Sequence, residues 1–229
     1  MHFGGLQKNS LIDFPGKLSA VLFVSGCNFD CPFCHNPELV KGPDIKLPEN
    51  EILDLLQKRK GWLDGVVISG GEPTLQNDID LFCRKVKELN YQIKLDTNGS
   101  QPQIVQKLIN EGLIDYIAMD IKTDPYLYSP VIAKNIDPET IILSIRLIME
   151  SGIPYEFKTT CLKPFIDEEI MERITLLIKG ARRYALQRFQ KGIVLHPEFF
   201  EQNDYQIEEE YFLVLKNIAM SRVGECIVR

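Results

Sequence analysis

Three cysteines fall within eight residues, Cys27, Cys31 and Cys34, in the segment GCNFDCPFCHN. Their C-x3-C-x2-C spacing brings soft thiolate ligands together, and such ligands suit zinc, copper or iron–sulfur clusters. A structural zinc site takes four ligands, and His35 is the candidate fourth. Cys34 and His35 are adjacent, however, and would have to bend the backbone sharply to reach one metal. A cubane iron–sulfur cluster normally takes four cysteines, so three leave one iron without a protein ligand, and an open metal position is where exogenous chemistry happens. The triple by itself leaves zinc and iron–sulfur open. Cys83, Cys161 and Cys226 are scattered and read as small buried hydrophobes. A disulfide framework is not expected in a chain of this size and composition.

Such a site needs elements to carry it. Strand-like apolar runs occur at 18–26 (LSAVLFVSG), 65–71 (GVVISGG), 91–97 (YQIKLDT), 116–123 (YIAMDIKT), 155–160 (YEFKTT) and 184–190 (YALQRFQ). Between them, helical periodicity covers 49–60, 77–90, 101–112, 138–152 and 167–180, with a sixth helix over about 206–220. Pro48, Pro102 and Pro138 stand near helix starts, and Gly61, Gly112, Gly152 and Gly180 stand just past helix ends, where a left-handed backbone is needed. Regular alternation of strand and helix implies an α/β fold with a parallel sheet and right-handed crossovers. Six βα units are too few for a closed eight-stranded barrel, so the expectation is a partial, open TIM-like barrel, with a short last strand near Glu225 to Val228. At 229 residues and 45% hydrophobic, with no repeat or low-complexity linker, residues 1–229 read as a single domain.

In parallel α/β folds ligands bind at the carboxyl ends of the strands, so a real site should leave polar or glycine-rich residues at several of them. This chain does so. The second run ends in Ser69-Gly70-Gly71-Glu72-Pro73, the third in Asp96-Thr97-Asn98-Gly99 and the fourth in Asp120-Ile121-Lys122. The strand period of two puts Asp120 and Lys122 on one face. The plain alternative for Lys122 is a structural salt bridge. Lys158, Thr160, Gln187 and His196 carry no defined role at this level.

Cys27, Cys31 and Cys34 with Phe33 before the last cysteine, together with Gly70-Gly71-Glu72-Pro73, resemble the radical S-adenosylmethionine superfamily. The resemblance implies one [4Fe–4S] cluster on the three cysteines. Its open iron would be chelated by the amino and carboxylate groups of S-adenosylmethionine, which an electron from the cluster cleaves to methionine and a 5'-deoxyadenosyl radical. It also implies that Phe33, Gly70, Gly71, Glu72, Pro73, Asp96, Asn98, Asp120 and Lys122 surround the cofactor. In the glycyl-radical activating enzymes, the equivalents of Asp96, Thr97 and Asp120 form a small monovalent cation site as well.

The segments Gly5 to Leu18 and Cys34-His35-Asn36-Pro37-Glu38-Leu39 look like those of anaerobic ribonucleoside-triphosphate reductase activating proteins. Such enzymes remove a Cα hydrogen from a glycine of a partner enzyme. The resemblance places Asp13 near the partner's glycine loop, although Asp13-Phe14-Pro15-Gly16 departs from the usual Asp-Gly-Pro-Gly. The implied partners are a glycyl-radical enzyme, anaerobic ribonucleotide reductase, and a flavodoxin or ferredoxin as electron donor. A compact radical enzyme acting on a small molecule, of the deazaguanine-forming kind, is the alternative. The net charge of −6 is spread along the chain, which argues against a nucleic-acid partner. No apolar run of about 18 residues and no secretory signal is read from the sequence, so the expectation is a cytoplasmic protein without a membrane partner.

Overall fold

The computed structural model describes residues 1–42, 47–201 and 205–229. The strands are β1 (Phe3–Ser10), β2 (Ser19–Val24), β3 (Gly65–Gly70), β4 (Gln92–Thr97), β5 (Tyr116–Asp120), β6 (Tyr155–Cys161), β7 (Tyr184–Arg188) and β8 (Cys226–Val228). The helices are α1 (Pro37–Lys41), α2 (Glu49–Lys58), α3 (Ile79–Glu88), α4 (Pro102–Asn110), α5 (Pro138–Glu150), α6 (Glu168–Leu177) and α7 (Glu209–Met220). Strand order follows chain order from β1 to β8, and the sheet ends at those two strands, so it is open rather than closed. This is the α/β class expected from the alternation.

The chain divides into two compact units. The first comprises Met1–Asn28, Asn36–Thr97 and Gln103–Ile117. There β1 lies antiparallel to β2, with Phe3 opposite Val24 and Ser10 opposite Ser19. β2 and β3 are parallel from Ser19 beside Gly65 to Val24 beside Gly70, and β3 and β4 are parallel from Gly65 beside Gln92. Val66, Val67 and Ile68 are fully buried, as are Ile93 and Leu95, because strands covered on both faces read as continuous apolar runs. Helix α3 turns Ile79, Phe82, Cys83 and Val86 inward at helical spacing, and the Phe82 ring meets Phe3 at 5.0 Å.

The second unit comprises Phe29–His35, Asn98–Pro102 and Ala118–Arg229. Here β6 is parallel to β7 and β7 to β8, and the Ile121 N–H donates to the Lys158 carbonyl at 2.8 Å, joining the end of β5 to β6. Helix α5 buries Ile141, Ile142, Ile145 and Ile148, and α6 buries Ile170, Met171 and Ile174. Asp137 caps α5 through the Glu139 N–H at 3.0 Å, and Asp167 caps α6 through the Ile170 N–H at 2.7 Å, each satisfying an amide that the helix leaves unpaired. Gly61, Gly112, Gly152 and Gly180 all have positive φ, as their positions after helices require.

Two elements depart from the sequence expectations. β1 is absent from the predicted strands because Phe3-Gly4-Gly5-Leu6-Gln7-Lys8-Asn9-Ser10 contains no β-branched residue, and an edge strand can leave Gln7, Lys8 and Asn9 exposed. Phe3 nevertheless is fully buried, a burial that stabilises by about 1.5–3 kcal/mol. Helix α1, five residues long, is too short to show a period. No helix among the described residues is long and apolar enough to cross a membrane.

Candidate active site

In the first unit the strand ends are joined through backbone. Beyond β2 the chain continues Ser25-Gly26-Cys27, and beyond β3 it continues Gly71-Glu72. The Gly71 N–H donates to the Val24 carbonyl and the Glu72 N–H to the Gly26 carbonyl, both at 2.8 Å, extending the β2–β3 pairing to the residue before Cys27. This contact explains the glycines. A Cβ at Gly71 would stand 2.1 Å from the Gly26 oxygen, and one at Gly70 would stand 2.6 Å from the Val24 nitrogen.

Glu72 is fully buried. Its Oε1 accepts from the Thr74 N–H at 3.0 Å, from the Thr74 hydroxyl, and from the Thr97 hydroxyl at 2.8 Å. Charge-assisted bonds of this kind offset the desolvation of a buried carboxylate, so Glu72 locks the end of β3 to the end of β4. Pro73 opens the one-turn helix Pro73–Leu75 that carries Thr74. Asp96 accepts from the Ser69 hydroxyl at 2.9 Å and from the Lys94 ammonium.

Lys94 is only 3% exposed, and the sequence reading passes over it. The available signal was its two-residue offset from Asp96, which puts both on the same face of β4. Ser25 Oγ is a buried hydroxyl without a hydrogen-bond partner, two residues before Cys27. Leaving such a group unsatisfied costs about 1–3 kcal/mol, which a bound polar group would remove.

In the second unit the cysteine loop is pinned by its neighbours. The Cys34 N–H donates to the Cys31 carbonyl at 3.0 Å, closing a tight turn, and the Asp30 N–H donates to the Ile132 carbonyl at 2.8 Å. Phe29 meets Tyr128 edge-on at 5.7 Å and Phe33 packs on Phe165 at 5.1 Å. No disulfide joins any of the six cysteines, all of which are among the described residues. Cys27 and Cys34 are half-buried and Cys31 is buried, so the triple is a set of soft donors in a sheltered stretch of chain, which fits an iron–sulfur cluster. The His35 ring instead stacks on Phe189 at 5.4 Å, with Nδ1 3.2 Å from the Ile193 carbonyl oxygen. Among the described residues no group of three His, Cys, Asp or Glu side chains is arranged to hold a single metal ion.

Asp120, Lys122 and Lys158 come together in the same unit. The Lys122 ammonium lies 3.7 Å from Asp120 Oδ1 and the Lys158 ammonium 3.6 Å from Asp120 Oδ2. Asp120 and Lys122, expected on one strand face, are close, but β5 ends at Asp120 and Lys122 reaches back from the residues after it, while Lys158 joins them from β6. The Lys122 N–H donates to the Tyr128 hydroxyl at 2.8 Å. Burial holds that phenol far above its ordinary range, so it is neutral.

Asn98 Oδ1 accepts from the Ser100 N–H at 2.9 Å, and the Gly99 carbonyl accepts from the Ser144 hydroxyl at 2.6 Å. Thr160 pairs in register with Gln187. His196 Nε2 stands 2.8 Å from Asp30 Oδ1 and Nδ1 stands 2.9 Å from Glu198 Oε1. Asp30 first, and Glu198 after it, raise the pKa of that imidazole. Asp13 accepts from the Ser10 hydroxyl. Ser10 pairs with Ser19, so Asp13 stands at the opposite end of β2 from Cys27. Six residues at ~3.3 Å each separate those ends by about 20 Å.

Comparison with known proteins gives the family of this chain. The profile of the radical SAM superfamily matches residues 21–177, and the chain belongs to that superfamily. Membership implies a [4Fe–4S] cluster and S-adenosylmethionine. Within it, a Methanocaldococcus jannaschii protein provisionally named a glycyl-radical enzyme activating enzyme is 36% identical over 204 residues, 85% of this chain and 82% of that protein. The chain is thus an enzyme of the glycyl-radical activating kind.

Two solved structures share the fold at low identity. A domain of pyruvate-formate lyase-activating enzyme from Bacteroides vulgatus matches at TM-score 0.57 and 15% identity, over 72% of this chain and 98% of that one. Streptococcus suis SuiB bound to precursor peptide SuiA matches at TM-score 0.67 and 16% identity, over 91% and 48%. The shared fold is the partial TIM barrel with an open sheet.

Proposed function

We propose that Cys27, Cys31 and Cys34 ligate three irons of one [4Fe–4S] cluster and that this chain activates an anaerobic ribonucleoside-triphosphate reductase. When bound on these cysteines, the cluster and S-adenosylmethionine would supply, with one electron from a reductant and release of methionine, the radical chemistry that removes a glycine Cα hydrogen from the partner. The chain's residues do the placing. Gly70 and Gly71, being without side chains, let backbone approach the cofactor; Glu72 and Pro73 keep that loop rigid; Asp96, Asn98, Asp120 and Lys122 offer polar groups from the ends of their strands; and Phe33 shelters the last cysteine. Lys122 supplies positive charge for the cofactor carboxylate, and Asp120 orients Lys122. A monovalent cation at Asp96, Thr97 and Asp120 belongs to the same reading, with Lys94 already supplying one positive charge to Asp96.

The observation that supports this reading best is the pair of 2.8 Å bonds from Gly71 and Glu72 to the carbonyls of Val24 and Gly26, because they tie the Gly-Gly-Glu-Pro loop to the entry of the cysteine segment. The glycine itself must come to the cofactor at the cysteine end of β2, so in this reading Asp13, about 20 Å away along the strand, meets another part of the partner's surface. That a protein of the same fold is bound to a precursor peptide supports a polypeptide substrate. A flavodoxin or ferredoxin supplies the electron, residues 1–229 act as one radical SAM domain, and the reaction takes place in the cytoplasm.

The test is anaerobic co-incubation of the reduced, reconstituted enzyme and S-adenosylmethionine with an anaerobic ribonucleotide reductase, read by electron spin resonance. A glycyl radical doublet is expected. Cofactor cleavage without that doublet would retire the ribonucleotide reductase and direct the search to another glycyl-radical enzyme.

A further inference from the structure

The segment after β7 lies C-terminal to the residues matched by the superfamily profile, which ends at 177, yet it is bonded to the cysteine loop along its length. The Leu195 N–H donates to the Cys34 carbonyl at 2.9 Å and the His196 N–H to the Pro32 carbonyl at 3.2 Å. His35 Nδ1 reaches the Ile193 carbonyl oxygen at 3.2 Å, and His196 Nε2 reaches Asp30 Oδ1 at 2.8 Å. Glu198 takes the other imidazole nitrogen at 2.9 Å, so the ring is oriented from both sides.

Aromatic rings close a circuit around the same contact. Phe33 packs on Phe165 at 5.1 Å, Phe165 on Phe199 at 5.5 Å, Phe199 on Phe200 at 5.4 Å, Phe200 on Phe189 at 5.2 Å, and Phe189 on His35 at 5.4 Å. The circuit begins and ends on the two residues that flank Cys34. Offset and tilted ring pairs are each worth about 0.5–1.5 kcal/mol beyond their burial.

We infer that Ile193–Phe200 is a strap that fixes the Cys31–Cys34 turn, with His196 as the positioning residue that holds Asp30 beside Cys31. The consequence for catalysis rests on the reading that these cysteines are cluster ligands; the strap itself does not. A turn of this kind has little structure of its own, and its hydrogen bond from Cys34 to Cys31 cannot by itself hold ligand sulfurs at set separations. The strap adds four bonds from outside the turn. Ligands fixed by their surroundings hold a metal centre more tightly than ligands left to move.

Two measurements on the full chain test this. In metal-free protein, alkylation by iodoacetamide is followed by mass spectrometry at Cys31 and Cys34, with the buried Cys83 as internal control. His196→Ala should speed modification of Cys31 and Cys34 roughly tenfold, the scale of a lost charge-assisted bond, and leave Cys83 protected. His196→Gln, which keeps a donor toward Asp30, should recover most of the protection, and Phe200→Ala should behave like His196→Ala. Unchanged rates at Cys31 and Cys34 in both alanine variants would overturn the strap, as would an equal rise at Cys83.

In reconstituted protein, iron release to a chelator should be roughly tenfold faster in His196→Ala than in the unmodified chain. Equal release rates would overturn the strap's effect on the cluster. An unmodified chain that takes up no iron would sink the ligand assignment alone, because the alkylation arm decides the strap without metal.

Discussion

Cys83, Cys161 and Cys226 are 0%, 1% and 3% exposed, and burial pushes the first two thiols up to about 12 and the third up to about 11. Raised values keep all three neutral at working pH, and a neutral thiol is neither a ligand nor a nucleophile. Alanine at any one of Cys27, Cys31 or Cys34 should therefore abolish S-adenosylmethionine cleavage, measured as 5'-deoxyadenosine formed per chain. Cys83→Ala should leave it intact and cost about 1 kcal/mol in denaturant unfolding, as small core truncations do. Equal loss in all four variants would mean that the ligand set is wrong. The division into three and three was legible in the sequence from spacing alone. The partners of Asp96 and Asp120 were legible only in part: Lys122 is two residues from Asp120 in the sequence, though beyond the end of β5, whereas Lys158 reaches Asp120 from another strand.

The strand ends depend on backbone fit. Gly71 has a contact requirement, since an added Cβ would fall 2.1 Å from the Gly26 oxygen, and backbone cannot swing aside as a flexible side chain can. Gly112 has only a conformational one, with φ at +64° and nothing within 4 Å of the added carbon. Gly112→Ala should cost about 1–2 kcal/mol and leave iron uptake unchanged. Gly71→Ala should cost about 1–3 kcal/mol and also reduce iron uptake, because the displaced carbonyl immediately precedes Cys27. Iron per chain after reconstitution, set beside the unfolding midpoint, separates the two effects. Helices and buried strands were readable because hydrophobic period and punctuation are local. β1 was not, because its place is fixed by pairing with β2 and by burial of Phe3 under Phe82, 79 positions along the chain.

Across the whole chain, Asp13 and Cys27 lie near opposite ends of β2, about 20 Å apart along the strand. A change at Asp13 therefore acts on whatever reaches that end before it acts on the cysteines. Asp13→Ala should lower the yield of glycyl radical on the partner at least fivefold, about 1 kcal/mol of a lost polar contact, with a smaller change in 5'-deoxyadenosine formation. Parallel loss of both products would place Asp13 in the support of the fold instead.

By itself the sequence determined the cysteine triple proposed as ligands, the polar strand ends, the α/β class and the branch of the superfamily. All of these are written in spacing, period and short segments, and a few neighbouring residues suffice to specify them. Only the tertiary structure decided that Gly71 lies against Gly26, that Lys94 and Lys158 neutralise the two strand-end aspartates, and that His196 holds Asp30 from 166 positions away. The last is a contact that no periodicity encodes, because it exists only after β7 has packed and carried the following segment back to the cysteine loop.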